Sequence, residues 1–156
     1  MVNQTEMAKV SSEDARLVRL TSICLAPPEA TRDIHGLHGG FRVRKKTFAW
    51  FLNDHHGDGM AAVTCKVLPG DNARLAAANP ERFYIPAYVG PKGWVALRLD
   101  VGEVDWDEVA ELMIHGYRQI APKGFVEREL NAAREREDRT GPYRQRGHGR
   151  QTAAGR

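Results

Sequence analysis

The sequence has no apolar run approaching the roughly 18 residues that a membrane-spanning helix requires. Its first ten residues, MVNQTEMAKV, contain nothing like the apolar core of a secretory signal. These absences make a cytoplasmic protein with no membrane partner the expectation. Cysteine is scarce. Cys24 and Cys65 are the only two, each inside an apolar segment, which favours buried small hydrophobes over a disulfide or redox pair. Catalytic signatures are missing as well: there is no G-x-S-x-G, no P-loop, no dinucleotide fingerprint and no H-E-x-x-H or C-x-x-C. The histidines form no identifiable arrangement that would activate Cys65. An enzyme is therefore not expected, and no cofactor is implied.

A strong charge of one sign is also lacking where it would matter most. The net charge is +3, but residues 1–130 hold sixteen Lys and Arg against seventeen Asp and Glu. Residues 131–156 hold seven Arg against three acids, so the basic balance belongs to the tail. Any basic patch on the body must come from local clustering rather than bulk charge. What remains is a chain of 156 residues, 42% of them apolar, which suits one domain with a substantial core.

Punctuation along the chain divides it. Residues 1–10 read as a flexible leader. Ser11 and Asp14 offer a capping box for a first helix, with Leu17, Leu20 and Cys24 among its apolar positions, and Pro27-Pro28 stops it. Thr31 to Leu37 reads as a short strand, His38-Gly39-Gly40 as a turn, and Phe41 to Lys46 as a strand. Thr47 to Leu52 is strand too, either continuous with it or set off by a bulge or turn at Lys45-Lys46. The run Asn53 to Gly59 has hairpin-loop composition, and Met60 to Val67 is a further strand. Asp71 caps a short helix that ends at Asn79-Pro80. Phe83 to Val89 and Trp94 to Leu99 read as strands around a turn at Gly90-Pro91-Lys92-Gly93. The clearest helix begins at the cap Asp105, with Glu108 in the reciprocal position and Trp106, Val109, Met113, Tyr117 and Ile120 on one stripe. A last short helix runs from Phe125 towards Arg136, and the segment from Thr140, with little to bury, reads as a disordered basic tail. Short hairpin-like turns favour an antiparallel sheet with helices on one face, an α+β fold.

Three clusters have chemical potential. In the first, Phe41 and Val43 alternate with Arg42 and Arg44, and Lys45 and Lys46 follow. The arginines would clamp phosphates and the lysines add charge, as on a β-ribbon entering a groove. The same strand serves equally as the solvated side of a sheet. In the second, Lys92 stands beside Trp94 at a turn, a cation next to an indole that would suit a phosphate and a base. The plainer reading is a tight turn followed by a core tryptophan. In the third, His35, His38, His55 and His56, with Asp54 and Asp58, are the right residue types for a metal, but their spacing matches no strong motif, and no metal site is expected.

Three segments together resemble a known family. HGGFRVRKKTFAWFL, YIPAYVGPKGWVALRLD and VDWDEVAELMIHGYRQIAPK are similar, in this order, to the YjbR/MmcQ family of small bacterial proteins. The last two blocks are the most specific, with Gly93-Trp94, the helix start Trp106-Asp107-Glu108 and the ending Tyr117-Arg118…Ala121-Pro122. The resemblance covers residues 11–130. It implies a two-layer α+β sandwich like that of the frataxin-related CyaY proteins, an antiparallel sheet packed against N- and C-terminal helices; residues 131–156, read as a helix extension and disordered basic tail, lie outside the resemblance. Family members are commonly labelled DNA-binding. Carried to this chain, that implies a nucleic-acid-binding set of Arg42, Arg44, Lys45, Lys46, Lys92 and Trp94. The frataxin likeness suggests iron handling, but Arg16 and Arg19 in the first helix depart from the acidic pattern this needs. The expectation is a non-enzymatic protein that binds duplex DNA weakly. Its rival is a protein- or small-ligand-binding module built around Tyr84, Tyr88 and Trp94.

Overall fold

The computed structural model describes residues 13–154, with side chains through Arg139. The expected leader at residues 1–10 and Ser11 lie outside the described residues. The chain divides into two compact units, residues 1–121 and 122–156.

The first unit opens with helix α1 (Ala15–Cys24), whose N-cap is Asp14. The Asp14 carboxylate accepts from the Arg16 backbone N–H at 2.8 Å, so Asp14 is itself the cap rather than the partner of one. Six strands follow: β1 (Ala30–His35), β2 (His38–Val43), β3 (Lys46–Asn53), β4 (Ala61–Lys66), β5 (Phe83–Tyr84) and β6 (Trp94–Arg98). They form one antiparallel sheet in the order β1-β2-β3-β4-β6-β5. A 3-10 turn at His55–Gly57 lies between β3 and β4, and helix α2 (Asp71–Ala78) between β4 and β5. Helix α3 (Trp106–Ile120) closes the unit. Its N-cap is Asp105, whose carboxylate accepts from the backbone N–H groups of Asp107 and Glu108.

Several local expectations are corrected. His38, Gly39 and Gly40 are strand, not turn, and the β1–β2 turn falls at Gly36-Leu37. The cationic segment is interrupted one residue earlier than expected: β2 ends at Val43, and Arg44 takes a left-handed φ of 58° in the turn to β3. Gly70, not Asp71, is the N-cap of α2. Residues 85–89 leave the sheet, so β5 is only two residues long.

Both α1 and α3 cover the same face of the sheet. A Cβ on Gly39 would lie 3.0 Å from Leu17 of α1, and one on Gly116 of α3 would lie 3.0 Å from the Cβ of Cys65 and 3.2 Å from the Phe48 carbonyl. The β2–β3 register slips between Phe41, opposite Ala49, and Arg42, opposite Thr47, leaving Phe48 as an extra residue. Such a bulge can turn two consecutive side chains to one side. Phe48 meets the Tyr117 ring edge-on at 5.5 Å, while Ala49 pairs with Cys65 beneath Gly116. Phe41, Val43, Phe48, Phe51, Val63, Val109, Met113 and Tyr117 are buried in this layer. The Tyr117 hydroxyl donates to the Pro28 carbonyl at 2.7 Å, joining α3 to the segment after α1. Cys24 and Cys65 are buried and unpaired with each other; burial raises both thiols, Cys65 to about 12.

The second unit is one helix, α4 (Lys123–Ala154), within which Arg136 approaches Glu129 at 3.9 Å. Among the described residues no helix is long and apolar enough to cross a membrane.

Candidate functional site

With both of these helices on one face, the opposite face of the sheet is covered by neither: Trp50 and Tyr84 on it are partly exposed, while Thr64 and Ala96 are buried. Strand register identifies what it carries. Trp50 pairs with Thr64, Thr64 with Ala96, and Ala96 with Tyr84. These four residues therefore form a rung across β3, β4, β6 and β5, on the face away from Cys65 and Phe51. Large aromatic residues stand at its ends, with small ones between. On the other side of Trp50 the rung continues to Gly40 of β2. A Cβ there would come within 2.9–3.3 Å of three carbons of the Trp50 six-membered ring, so the indole rests against the bare Gly40 backbone.

Trp50, Thr64 and Tyr84 of this rung line a cleft of about 700 Å³. Trp50, Leu52 and Thr64 line it from the sheet, and Tyr84 with Pro86 to Val89 line the far wall. Tyr88 sits on the rim, 90% exposed, with a left-handed φ of 66°. That conformation is costly for an aromatic residue, on the order of 1–3 kcal/mol. Wall residues Tyr84 and Tyr88 belong to the segment the sequence singles out for a ligand; Trp94 is not among the lining residues.

The remaining wall is histidine-rich. Register places His35 opposite His38 across the β1–β2 turn, and the β3–β4 loop brings His55 and His56 alongside. The His38 ring lies 5.3 Å from that of His55, the His55 ring 3.9 Å from that of His56, and the His35 ring 6.0 Å from that of Trp50. His38 Nδ1 accepts from the Asn53 backbone N–H at 3.1 Å. Burial, then the neighbouring His55, push the His38 imidazole below its usual value, with Asp58 acting in the opposite direction. Burial likewise raises the Tyr84 phenol. The loop carboxylates are engaged locally: Asp54 accepts from the Gly59 N–H at 2.7 Å and Asp58 from the Met60 N–H at 2.9 Å. Among the described residues no three His, Cys, Asp or Glu side chains converge as a metal-ligand set.

The cationic residues named from the sequence occupy a different place. Arg42 lies on the face opposite α1 and α3, but its guanidinium bonds Asp33 at 3.2 Å and the Lys45 carbonyl at 2.8 Å. Arg44, Lys45 and Lys46 are exposed at the β2–β3 turn. The Lys66–Trp94 pair ends β4 and begins β6, so antiparallel pairing puts Trp94 and the exposed Lys92 at the same end of the sheet as Lys46. Arg44, Lys45 and Lys46 thus lie at the same end of the sheet as Lys92 and Trp94, and Arg42 reaches the same turn with its charge matched by Asp33. The histidine wall lies at the opposite end and gathers the four histidines that the sequence grouped as metal-ligand types. His35 and His38 flank the β1–β2 turn and His55 and His56 lie between β3 and β4, and strand pairing makes them neighbours.

No curated protein matches the chain. Among solved structures, protein DR2400 of Deinococcus radiodurans, which contains the domain DUF419, is similar, with 24% identity, a TM-score of 0.57, and coverage of 74% of this chain and 86% of that one. A protein from Pseudomonas syringae is similar with 12% identity and a TM-score of 0.52, covering 68% of this chain and 97% of the other. These likenesses support the α+β fold. The family model YjbR matches residues 25–119, a span that takes in all six strands and most of α3, and the chain belongs to the YjbR family.

Proposed function

We infer that this domain is a small-molecule-binding module whose site is the cleft on the face of the sheet opposite α1 and α3. The observation that carries this reading is the cleft itself. It has about 700 Å³ of space, aromatic walls and a few polar imidazoles, on the face that neither α1 nor α3 covers. Small-molecule sites are typically concave, mostly apolar and roughly 300–1,000 Å³ in volume, with a few placed polar groups. Nuclear magnetic resonance of the labelled full chain against a fragment collection tests it. Binding fragments should shift Trp50, Tyr84 and His38 together. A collection that perturbs only residues outside the cleft, or none, would rule the reading out.

A second reading keeps duplex DNA as the partner. It is favoured by the shared location of the exposed Lys45, Lys46 and Lys92 at one end of the sheet, with Arg44 in the same turn. Backbone phosphates are the natural partner of such a cluster. Fluorescence anisotropy with a labelled duplex at low salt tests it, and no binding there excludes it.

A further inference from the structure

The cleft has polar groups whose state can be worked out, and these narrow the ligand. The Trp50 six-membered ring lies against the Gly40 backbone with the His35 ring 6.0 Å away, and the half-buried indole lines the cleft. Between Trp50 and Tyr84 the rung holds only Thr64 and Ala96. Three strand spacings separate the two aromatic residues, about 14 Å at 4.7–4.9 Å each. Ala96 is fully buried and does not line the cleft, so the floor next to the indole is Thr64; a flat ring system can stack there on Trp50, and in about 700 Å³ a single methyl or ammonium group would leave most of the space empty.

His38 fixes the polarity of one edge. Its Nδ1 is already used as an acceptor for the Asn53 N–H, so in the neutral imidazole the proton is on Nε2. The atom left for a ligand is a donor, and the ligand must bring an acceptor. Burial favours this neutral form. Among the described residues no Lys or Arg lines the cleft, and its one carboxylate, the exposed Asp58, accepts from the Met60 N–H through Oδ1. An anionic ligand would find no Lys or Arg among them to pair with and would meet the Asp58 carboxylate.

Building on the cleft reading above, we propose that the cleft takes a neutral, planar, bicyclic aromatic molecule carrying a carbonyl-type acceptor, stacked on Trp50 with the acceptor receiving the His38 Nε2–H. Four flat bicyclic probes separate the elements of this proposal in the wild-type full chain. Quinolin-2-one is neutral with an acceptor, and indole is neutral without one. Naphthalene-2-carboxylate is an anion and N-methylquinolinium a cation. Affinities come from titrations followed by resonance shifts at Trp50, with His38 followed through its imidazole nitrogens. One net hydrogen bond corresponds to about a five-fold preference for quinolin-2-one over indole. Quinolin-2-one should also bind more tightly than either ion, and its binding should move the His38 Nε2 resonance.

Equal affinity for indole and quinolin-2-one overturns the role of His38. Preferential binding of either ion overturns the ligand class while leaving the cleft reading intact. If no probe moves Trp50 or Tyr84 and the fragment collection also fails there, both readings fall. Contacts from residues 1–12 or from a second copy of the chain to Trp50 in the ligand-free protein overturn the proposal too, because the cleft would already be filled.

Discussion

Single side chains in this domain do work that their neighbours in sequence do not reveal. His38 holds the end of β3 through the Asn53 amide, and its imidazole is pushed below the usual value of 6.5 by burial first and His55 second. A base with a lowered folded-state value binds its proton less readily in the native than in the unfolded chain. Its contribution to stability is present above about 6.5 and is lost as the pH falls through that value towards the lower folded one. Urea midpoints measured between pH 7.5 and 5.5 should therefore fall with pH, and His38→Gln should flatten that slope; an unchanged slope would refute the assignment. Cys65 sits at the other extreme. Its thiol, at about 12 and fully buried, should not react with an aromatic disulfide reagent at pH 8 until the protein is denatured. Rapid labelling of native protein at Cys65 would contradict this. The sequence made the burial of both cysteines legible through their apolar surroundings. It did not reveal the tautomer of His38, which depends on an amide fifteen positions away.

Elements were legible in proportion to how local their causes are. Helix α3 was readable because its cap, its dipole-matched charges and its apolar stripe all lie between Asp105 and Ile120. Gly39-Gly40 reads as a turn by composition, yet Leu17 and Trp50 press on these glycines from opposite sides of the sheet and make them strand. Arg44 carries the left-handed turn without glycine or asparagine to signal it. Phe83 to Val89 alternates like a strand, but the chain leaves the sheet after Tyr84 to form the cleft wall. The rung of Trp50, Thr64, Ala96 and Tyr84 draws on four separate strands, so no window of sequence contains it. Close packing between elements gives two expected outcomes. Gly116→Ala would gain helix propensity, about 1 kcal/mol, but would drive a methyl into Cys65 and the Phe48 carbonyl, where overpacking costs roughly 1–3 kcal/mol. A net loss of up to about 2 kcal/mol should appear in denaturant melts. Gly40→Ala should displace the Trp50 ring, change the tryptophan emission and weaken any cleft ligand, while α1 and α3 keep their circular dichroism. A variant that binds as wild type would show that the indole does not form the floor.

At the scale of the whole molecule, the two candidate surfaces sit at opposite ends of the sheet, and they respond to salt differently. Duplex DNA held by the Lys45, Lys46 and Lys92 end would release counterions, with a slope of log K against log salt near −0.9 per phosphate neutralised. About three contacts give a slope near −3, and Lys45→Ala combined with Lys92→Ala should reduce it by roughly two. Truncation after Leu130 separates this surface from the Arg-rich C-terminal segment; affinity that disappears with the truncation alone would place binding outside the sheet. Small-molecule binding at the neutral, aromatic end should hardly change over the same salt range. The packing of α1 and α3 on one face has a further consequence during synthesis. The strands emerge from the ribosome before the helix that covers β3 and β4, so the nascent chain carries Phe48, Ala49 and Cys65 without their lid until residues 106–120 appear. Folding of this unit must therefore wait for its final helix. A chain stalled near Asp100 should be protease-sensitive and bound by chaperones, and one released beyond α3 should close in a single step.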